Sequence, residues 1–241
     1  MAFIKSSVTN LIKEINMGEE ERWISSCTPW VAISDDDMRE DDICNPMQSA
    51  PVASQQLKDE LDAFWMNLRN TILLRNEFKA IYWNDEYVGI INERNFGFFK
   101  FLFDEIYDLL IIHACRITDN KETNGRGNLT VDRFLHDDFI KGMCGHDRCM
   151  GINENRIIPA RREMLDVRNK FLAHKDFEYN VDLSGKRRPG FKYIDCIIDA
   201  CFEIYGYLSV RVNGYDKPSS SSLRVKGGAN YVFEHLKNSR I

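Results

Sequence analysis

The chain has 241 residues, more than one average domain and less than two, so it is expected to hold one main domain with an appendage. Hydrophobic residues make up 44% and charged residues 29%, a globular composition, and the formal net charge of -5 excludes the whole surface as an electrostatic glue for nucleic acid or anionic lipid. Any such contact must be a local patch.

No apolar run of signal-peptide length occupies Met1 to Val8, and no stretch approaches the roughly 18 apolar residues of a membrane helix, so a cytoplasmic protein without a membrane partner is expected. The seven cysteines are odd in number and scattered, as reduced thiols would be. In that compartment the sequon Asn128-Leu129-Thr130 carries no glycan, and Thr130 reads as a helix cap.

In chain order, Ile4, Val8, Leu11, Ile12 and Ile15 recur at helical spacing and predict a short amphipathic arm. From Cys27 to about Ser54 the prolines Pro29, Pro46 and Pro51 and the acidic run Asp35 to Asp42 predict a linker or long loop. Residues 1–53 are therefore expected to be an arm and acidic linker, and 54–241 a helical domain. Leu57, Leu61, Phe64, Trp65, Leu68, Ile72 and Phe78 keep the period of one long helix over Ser54 to Trp83, with Ser54 as its N-cap. Asn92 to Thr118 is apolar over most of its circumference and reads as a buried helix, its stripe Lys100, Asp104 and Asp108 turned to water or a partner.

A Gly- and Asn-rich loop, Asp119 to Asn128, leads to a short helix through Val131, Phe134, Leu135 and Phe139. Gly142 to Asn155 reads as loop, and Pro159 suits the first turn of a helix running to about His174. Past the basic loop Lys186-Arg187-Arg188-Pro189, the residues Ile194, Ile197, Ile198, Cys201, Ile204, Tyr205 and Leu208 predict another core helix. Ser219 to Ser222 reads as a flexible link, and Tyr231, Val232 and Leu236 suggest a small terminal helix. Without an internal repeat or sustained two-residue alternation, the fold class predicted is all-α.

The helix after Pro159 holds an anomaly. With Arg168 at zero on a helical wheel, Met164 and Phe171 fall at about -40° and -60° and Leu165 and Leu172 at about +60° and +40°, so the arginine lies inside the apolar arc. A guanidinium there needs a partner, because burying it unpaired is prohibitive. One reading is a core or interface salt bridge, for instance to Asp119 or Asp108; the other is an anion site. His174 lies about 120° away, beside Val167, so a straight helix does not gather the pair on one narrow face, whereas two copies meeting at a dimer axis would.

The run Arg168-Asn169-Lys170-Phe171-Leu172-Ala173-His174 resembles the arginine, four to six residues, histidine signature of HEPN domains, including the polar residue directly after the arginine. Val167 through Asp176 is similar to the abortive-infection branch of that superfamily. Its context is the aromatic helix ending Cys115-Arg116-Ile117-Thr118-Asp119, then Asn128-Leu129-Thr130 opening the next helix. The resemblance covers about Gln55 to Leu208, leaving the first fifty residues outside. It implies a HEPN-like bundle of four or more helices, a homodimer with two Arg and His sets in one cleft, and a metal-independent endoribonuclease serving phage defence or toxin-like growth arrest, with RNA as substrate and an antitoxin or regulatory protein as a further partner. The other function it admits is a non-catalytic module binding RNA, a nucleotide or a protein.

In the catalytic case His174 serves as base and acid, Arg168 stabilises charge on the phosphate, and Asn169 donates to the phosphate or fixes the histidine. Neither a metal nor a cofactor is expected. Arg161, Arg162, Lys170 and Lys175, with Lys186, Arg187, Arg188 and Lys192, concentrate positive charge in an acidic chain, either as an RNA-backbone footprint or as a solvated helix face. Asp176 stands two residues after His174, where some HEPN toxins paired with a nucleotidyltransferase antitoxin carry an adenylylated tyrosine, which argues against that regulation. Cys144, His146 and Cys149 share one loop, but no second pair completes a zinc site. The phenylalanines from Phe96 to Phe103 read as core or dimer interface before they read as a base-stacking platform.

Overall fold

The computed structural model describes residues 52–94, 96–169, 188–214, 223 and 225–238, and these are mostly helical with little sheet. Helix α1 spans Gln55–Tyr82, α2 Asp85–Arg94 and α3 Phe96–Thr118. A two-stranded hairpin, β1 Glu122–Thr123 with β2 Arg126–Gly127, precedes the short helices α4 Val131–Leu135 and α5 Asp138–Lys141. Then follow α6 His146–Ile152, a π-helical turn Asn153–Ile157, α7 Ile158–Val167, α8 Phe191–Val212 and α9 Ala229–Asn238. The N-terminal arm and acidic linker expected before residue 52, and the Ser219 to Ser222 link, lie outside the described residues.

Helix α1 starts where its sequence predicts: the Ser54 hydroxyl accepts from the Leu57 N–H at 3.2 Å. Leu57, Leu61, Phe64, Leu68, Ile72 and Phe78 are buried along one side against α3 and α8. After Trp83, the Asn84 side-chain oxygen accepts from the Glu86 and Tyr87 N–H groups and starts α2, an element the sequence reading does not separate. Phe78 is the hub of an aromatic cluster: its ring stacks on Phe191 of α8 at 5.2 Å and lies 5.1 Å from Phe103 and 5.9 Å from Tyr107 of α3. Three helices thus share one ring-packed core. Between α1 and α8, Arg75 reaches Asp199 at 2.5 Å and Lys79 reaches Asp195 at 2.6 Å.

Helix α3 departs from its expected complete burial. Phe103, Tyr107, Leu110, Ile111, Ala114 and Cys115 are buried against α1, α7 and α8, while Phe98, Phe101, Leu109 and Ile112 are exposed. Among the described residues, the covering helices leave this second apolar face of α3 open. The stripe Lys100, Asp104 and Asp108 finds its partner within the chain: Arg188 bonds to Asp104 and lies 3.0 Å from Asp108, and the Tyr107 hydroxyl donates to the Pro189 carbonyl beside it.

Gly142 to Asn155, expected as loop, contains α6 and most of the π turn. Gly145 adopts φ 89°, a left-handed conformation suited to glycine, to turn the chain into α6. Pro159 stands in the first turn of α7, as its sequence position predicts, and α7 itself follows the π turn without a break in the helical path. Proline has no N–H to donate, and its ring crowds the carbonyl four residues back. The π turn directly before it widens the helix, with the Ile158 N–H reaching back five residues to the Asn153 carbonyl. In α9 the apolar signals Tyr231 and Val232 are exposed, and the anchor is Phe233, stacked on Tyr87 at 4.4 Å.

Candidate functional site

Arg168 and Asn169 continue the helical path of α7, and Arg168 keeps helical backbone angles. On the apolar side of α7, Met164 and Val167 are buried. The Arg168 side chain emerges beside them and bonds to Asp119, the residue just past α3; its other amino group donates to the Asn169 side-chain oxygen at 2.7 Å.

Arg161 converges on the same carboxylate. It precedes Arg168 by seven residues, two helical turns, so both project from nearly the same face. Its guanidinium donates to the second Asp119 oxygen at 2.9 Å and to the Asn120 side-chain oxygen at 3.1 Å. One carboxylate therefore divides its two oxygens between two arginines, an arrangement with a formal charge of two positives against one negative, or +1. The side chains of Arg168, Asp119 and Arg161 are 27%, 23% and 18% exposed, so the group sits at a rim, reachable by solvent yet partly desolvated. Arg161 Nε is buried with no hydrogen-bond partner among the described residues.

Cys115 lies one helical turn before Asp119 and is fully buried. Burial pushes its thiol up to about 11, against the pull of the Arg168 guanidinium, so it is a protonated core group at neutral pH and no nucleophile. What the cluster offers chemically is a fixed, permanently charged, planar donor set suited to an oxyanion.

Of the other residues singled out in the sequence, Arg162 is exposed on α7, while Lys170, His174 and Lys175, with Lys186 and Arg187, lie outside the described residues. Arg188 is committed to Asp104 and Asp108, and Arg161 to Asp119 and Asn120. Sequence spacing offers Arg168 either Asp119 or Asp108, and the structure gives it the first and assigns the second to Arg188. The shared use of Asp119 by Arg161 and the contribution of Asn120 escape the sequence reading. The signal for the first was present, since Arg161 and Arg168 sit seven apart on the apolar arc.

Directly after Asn120 the chain enters a polar cleft of about 270 Å³, lined by Lys121, Glu122 and Gly127 of the hairpin region, Leu57 and Glu60 of α1, and Arg133, Phe134, His136 and Asp137. Arg133 is held there by Glu60 through two bonds of 2.8 and 2.7 Å, and the Arg133 hydrogen bond lowers the Glu60 carboxyl below its ordinary value. His146 places Nε2 2.9 Å from the Leu135 carbonyl, and burial pushes the Cys149 thiol up to about 11. Among the described residues no three His, Cys, Asp or Glu side chains are grouped to hold a metal ion, and no helix is long and apolar enough to cross a membrane. Compared with known proteins, the chain matches no family model, no curated protein and no solved structure.

Proposed function

We propose that this chain is a HEPN-like module acting as a metal-independent endoribonuclease in phage defence or toxin-like growth arrest, with Arg168, Asn169 and His174 as its catalytic set in a dimer cleft. The observation that carries this reading is the unbalanced charge at Asp119: one carboxylate fixes two arginines and leaves a net positive, partly exposed guanidinium pair at the start of the Arg168 to His174 run.

In the reaction, the ribose 2′-oxygen attacks the adjacent phosphorus as His174 takes its proton. The bond from phosphorus to the 5′-oxygen then breaks, and that oxygen is protonated by a histidine in its acid form. Products are a 2′,3′-cyclic phosphate and a 5′-hydroxyl, with no metal or external water consumed. Arg168, oriented by Asp119 and Asn169, meets the charge that builds on the non-bridging oxygens.

A second reading rests on the same bond. Arg168 already holds a carboxylate of its own chain, as a structural arginine in a non-catalytic HEPN module would, and such a module would bind RNA, a nucleotide or a regulatory protein without turnover. To decide between them, purified protein is incubated with total and transfer RNA in EDTA beside Arg168→Ala and His174→Ala, and fragment ends are analysed. Cleavage by the wild type alone, leaving cyclic phosphates, is the expected result; folded wild-type protein that binds RNA without cutting it selects the second reading.

A further inference from the structure

On the open face of α3, Phe98, Phe101, Leu109 and Ile112 are 54%, 59%, 41% and 38% exposed. At 100° per residue they fall within an arc of about 80°, and the two residues that complete the stripe are Glu105 and Arg116. Both are exposed, and neither has an ion-pair partner among the described residues. Eleven residues apart on one helix, roughly 16 Å, they cannot reach each other.

We infer that this stripe is the surface on which a second copy of the chain docks, through antiparallel two-fold packing of α3 against α3. The inference deepens the dimer of the reading above and does not depend on ribonuclease activity. Its basis is self-complementarity. When the dyad passes midway between Leu110 and Ile111, Leu109 of each chain faces Ile112 of the other, and Glu105 of each faces Arg116 of the other, giving two ion pairs around a four-residue apolar centre. Parallel packing would set Glu105 against Glu105 and Arg116 against Arg116, like charge against like. Phe98 and Phe101 extend the apolar contact past Arg116 toward the second copy's hairpin region.

This pairing also bears on the site. Asp119 lies beyond Arg116, so the two Arg168 clamps stand roughly 25 Å apart along the helix axes, and a dyad normal to the plane of the helix pair keeps both on the same face. Arg188 is anchored at Asp104 and Asp108, across the dyad from its own Asp119. In the pair, each Arg188 anchor therefore comes level, along the helix axes, with the other copy's Arg168 clamp.

The test is the mass of the full-length protein by sedimentation or light scattering across a concentration series, for wild type, Leu109→Asp, Glu105→Arg, Arg116→Glu and the double exchange Glu105→Arg with Arg116→Glu. Circular dichroism and thermal unfolding confirm the fold of each. A dimer is expected for wild type, with each single charge reversal weakening it on the order of 30-fold or more, Leu109→Asp giving monomer, and the double exchange restoring the dimer. A monomeric wild type overturns the inference, including the case in which residues 1–51 cover the stripe within one chain. So does a dimer indifferent to these changes, or one that the double exchange fails to restore. RNA cleavage is read separately: a dimer of this kind that does not cut RNA leaves the interface standing and removes the ribonuclease, whereas a cutting monomer does the reverse.

Discussion

Two arginine clamps grip α3, and they differ in charge. Near its middle, Arg188 and Lys100 meet Asp104 and Asp108, two positives against two negatives, net zero; at its C-terminal end, Arg161 and Arg168 meet Asp119, net +1. In the first clamp the Arg188 guanidinium also lies 5.7 Å from the Tyr107 ring, and the Tyr107 hydroxyl is bonded to Pro189. Each clamp keeps one buried atom without a hydrogen bond among the described residues, an acceptor in the first, Asp108 Oδ1, and a donor in the second, Arg161 Nε, and the second also leaves Asn169 exposed. A balanced clamp has no further call for an anion and serves as a fastener. An unbalanced one still attracts negative charge, and chemistry on a phosphodiester needs such a place.

The largest expected effect separates the two clamps by function. Arg168→Ala should lower RNA cleavage by roughly 10²- to 10³-fold, as expected for loss of a donor to the charged transition state, while Arg188→Ala should leave cleavage per folded molecule within a few-fold of wild type. Equal losses from both, in single-turnover assays on folded protein, would erase the distinction. Stability should divide the opposite way. Arg188→Ala strips two half-buried carboxylates of their shared cation and is expected to cost about 2–3 kcal/mol in urea unfolding, already discounted for its partial exposure.

Asp119→Asn sharpens the comparison by splitting binding from turnover. Removing the one negative charge leaves two arginines facing solvent, so RNA binding at low salt should tighten several-fold while cleavage falls, because Arg168 loses its orientation. Tighter binding with unchanged cleavage would show that Asp119 does not position the arginine.

The balanced clamp also carries a pH signature. Burial raises the Asp104 carboxyl, but the Lys100 and Arg188 hydrogen bonds outweigh it and hold the group below its ordinary value. Its stabilisation is then fully present above the unfolded value, near 4, and is lost as pH falls through the lower folded value. Asp108 is raised by burial, so its ionised form costs stability at neutral pH and that cost fades as pH falls. The melting temperature of Asp104→Asn should therefore lie furthest below wild type near neutrality, the gap closing below about pH 4. A gap that widens in acid would reverse the assignment. The smallest effect expected is that of Tyr107→Phe, which loses the bond to Pro189 and should cost about 1 kcal/mol in the same unfolding assay.

What could be read from the sequence follows where side-chain period carries the information. Ser54 and Thr130 announce their caps, and α1 and α8 show their buried faces by spacing alone. The stretch holding α6 does not, because Gly145 and Gly151 and the polar residues between them imitate a loop, and the helix is held from outside by Glu203 accepting from Arg148 and Arg156. The open stripe of α3 was hidden for a related reason: a run of phenylalanine and leucine says that a helix is apolar, not which neighbours will cover it. At the site, an arginine in an apolar arc demands a partner, and spacing narrows the choice to Asp119 or Asp108. Only the folded chain shows that each carboxylate receives a different arginine, since the second of these, Arg188, comes from a loop with no periodicity to read.

The π turn at Asn153–Ile157 is an indexing device. It amounts to one extra residue inside an otherwise regular helix, and it sets the phase between what lies before it and what lies after. Before it, Arg148 reaches Glu203 of α8; after it, Arg161 and Arg168 reach Asp119 beside α3. Rewinding that turn as regular α-helix, with every residue kept, would rotate everything downstream by about 100° and swing both arginines off their carboxylate. Every residue of the charged cluster would remain in the chain, and the cluster would be gone.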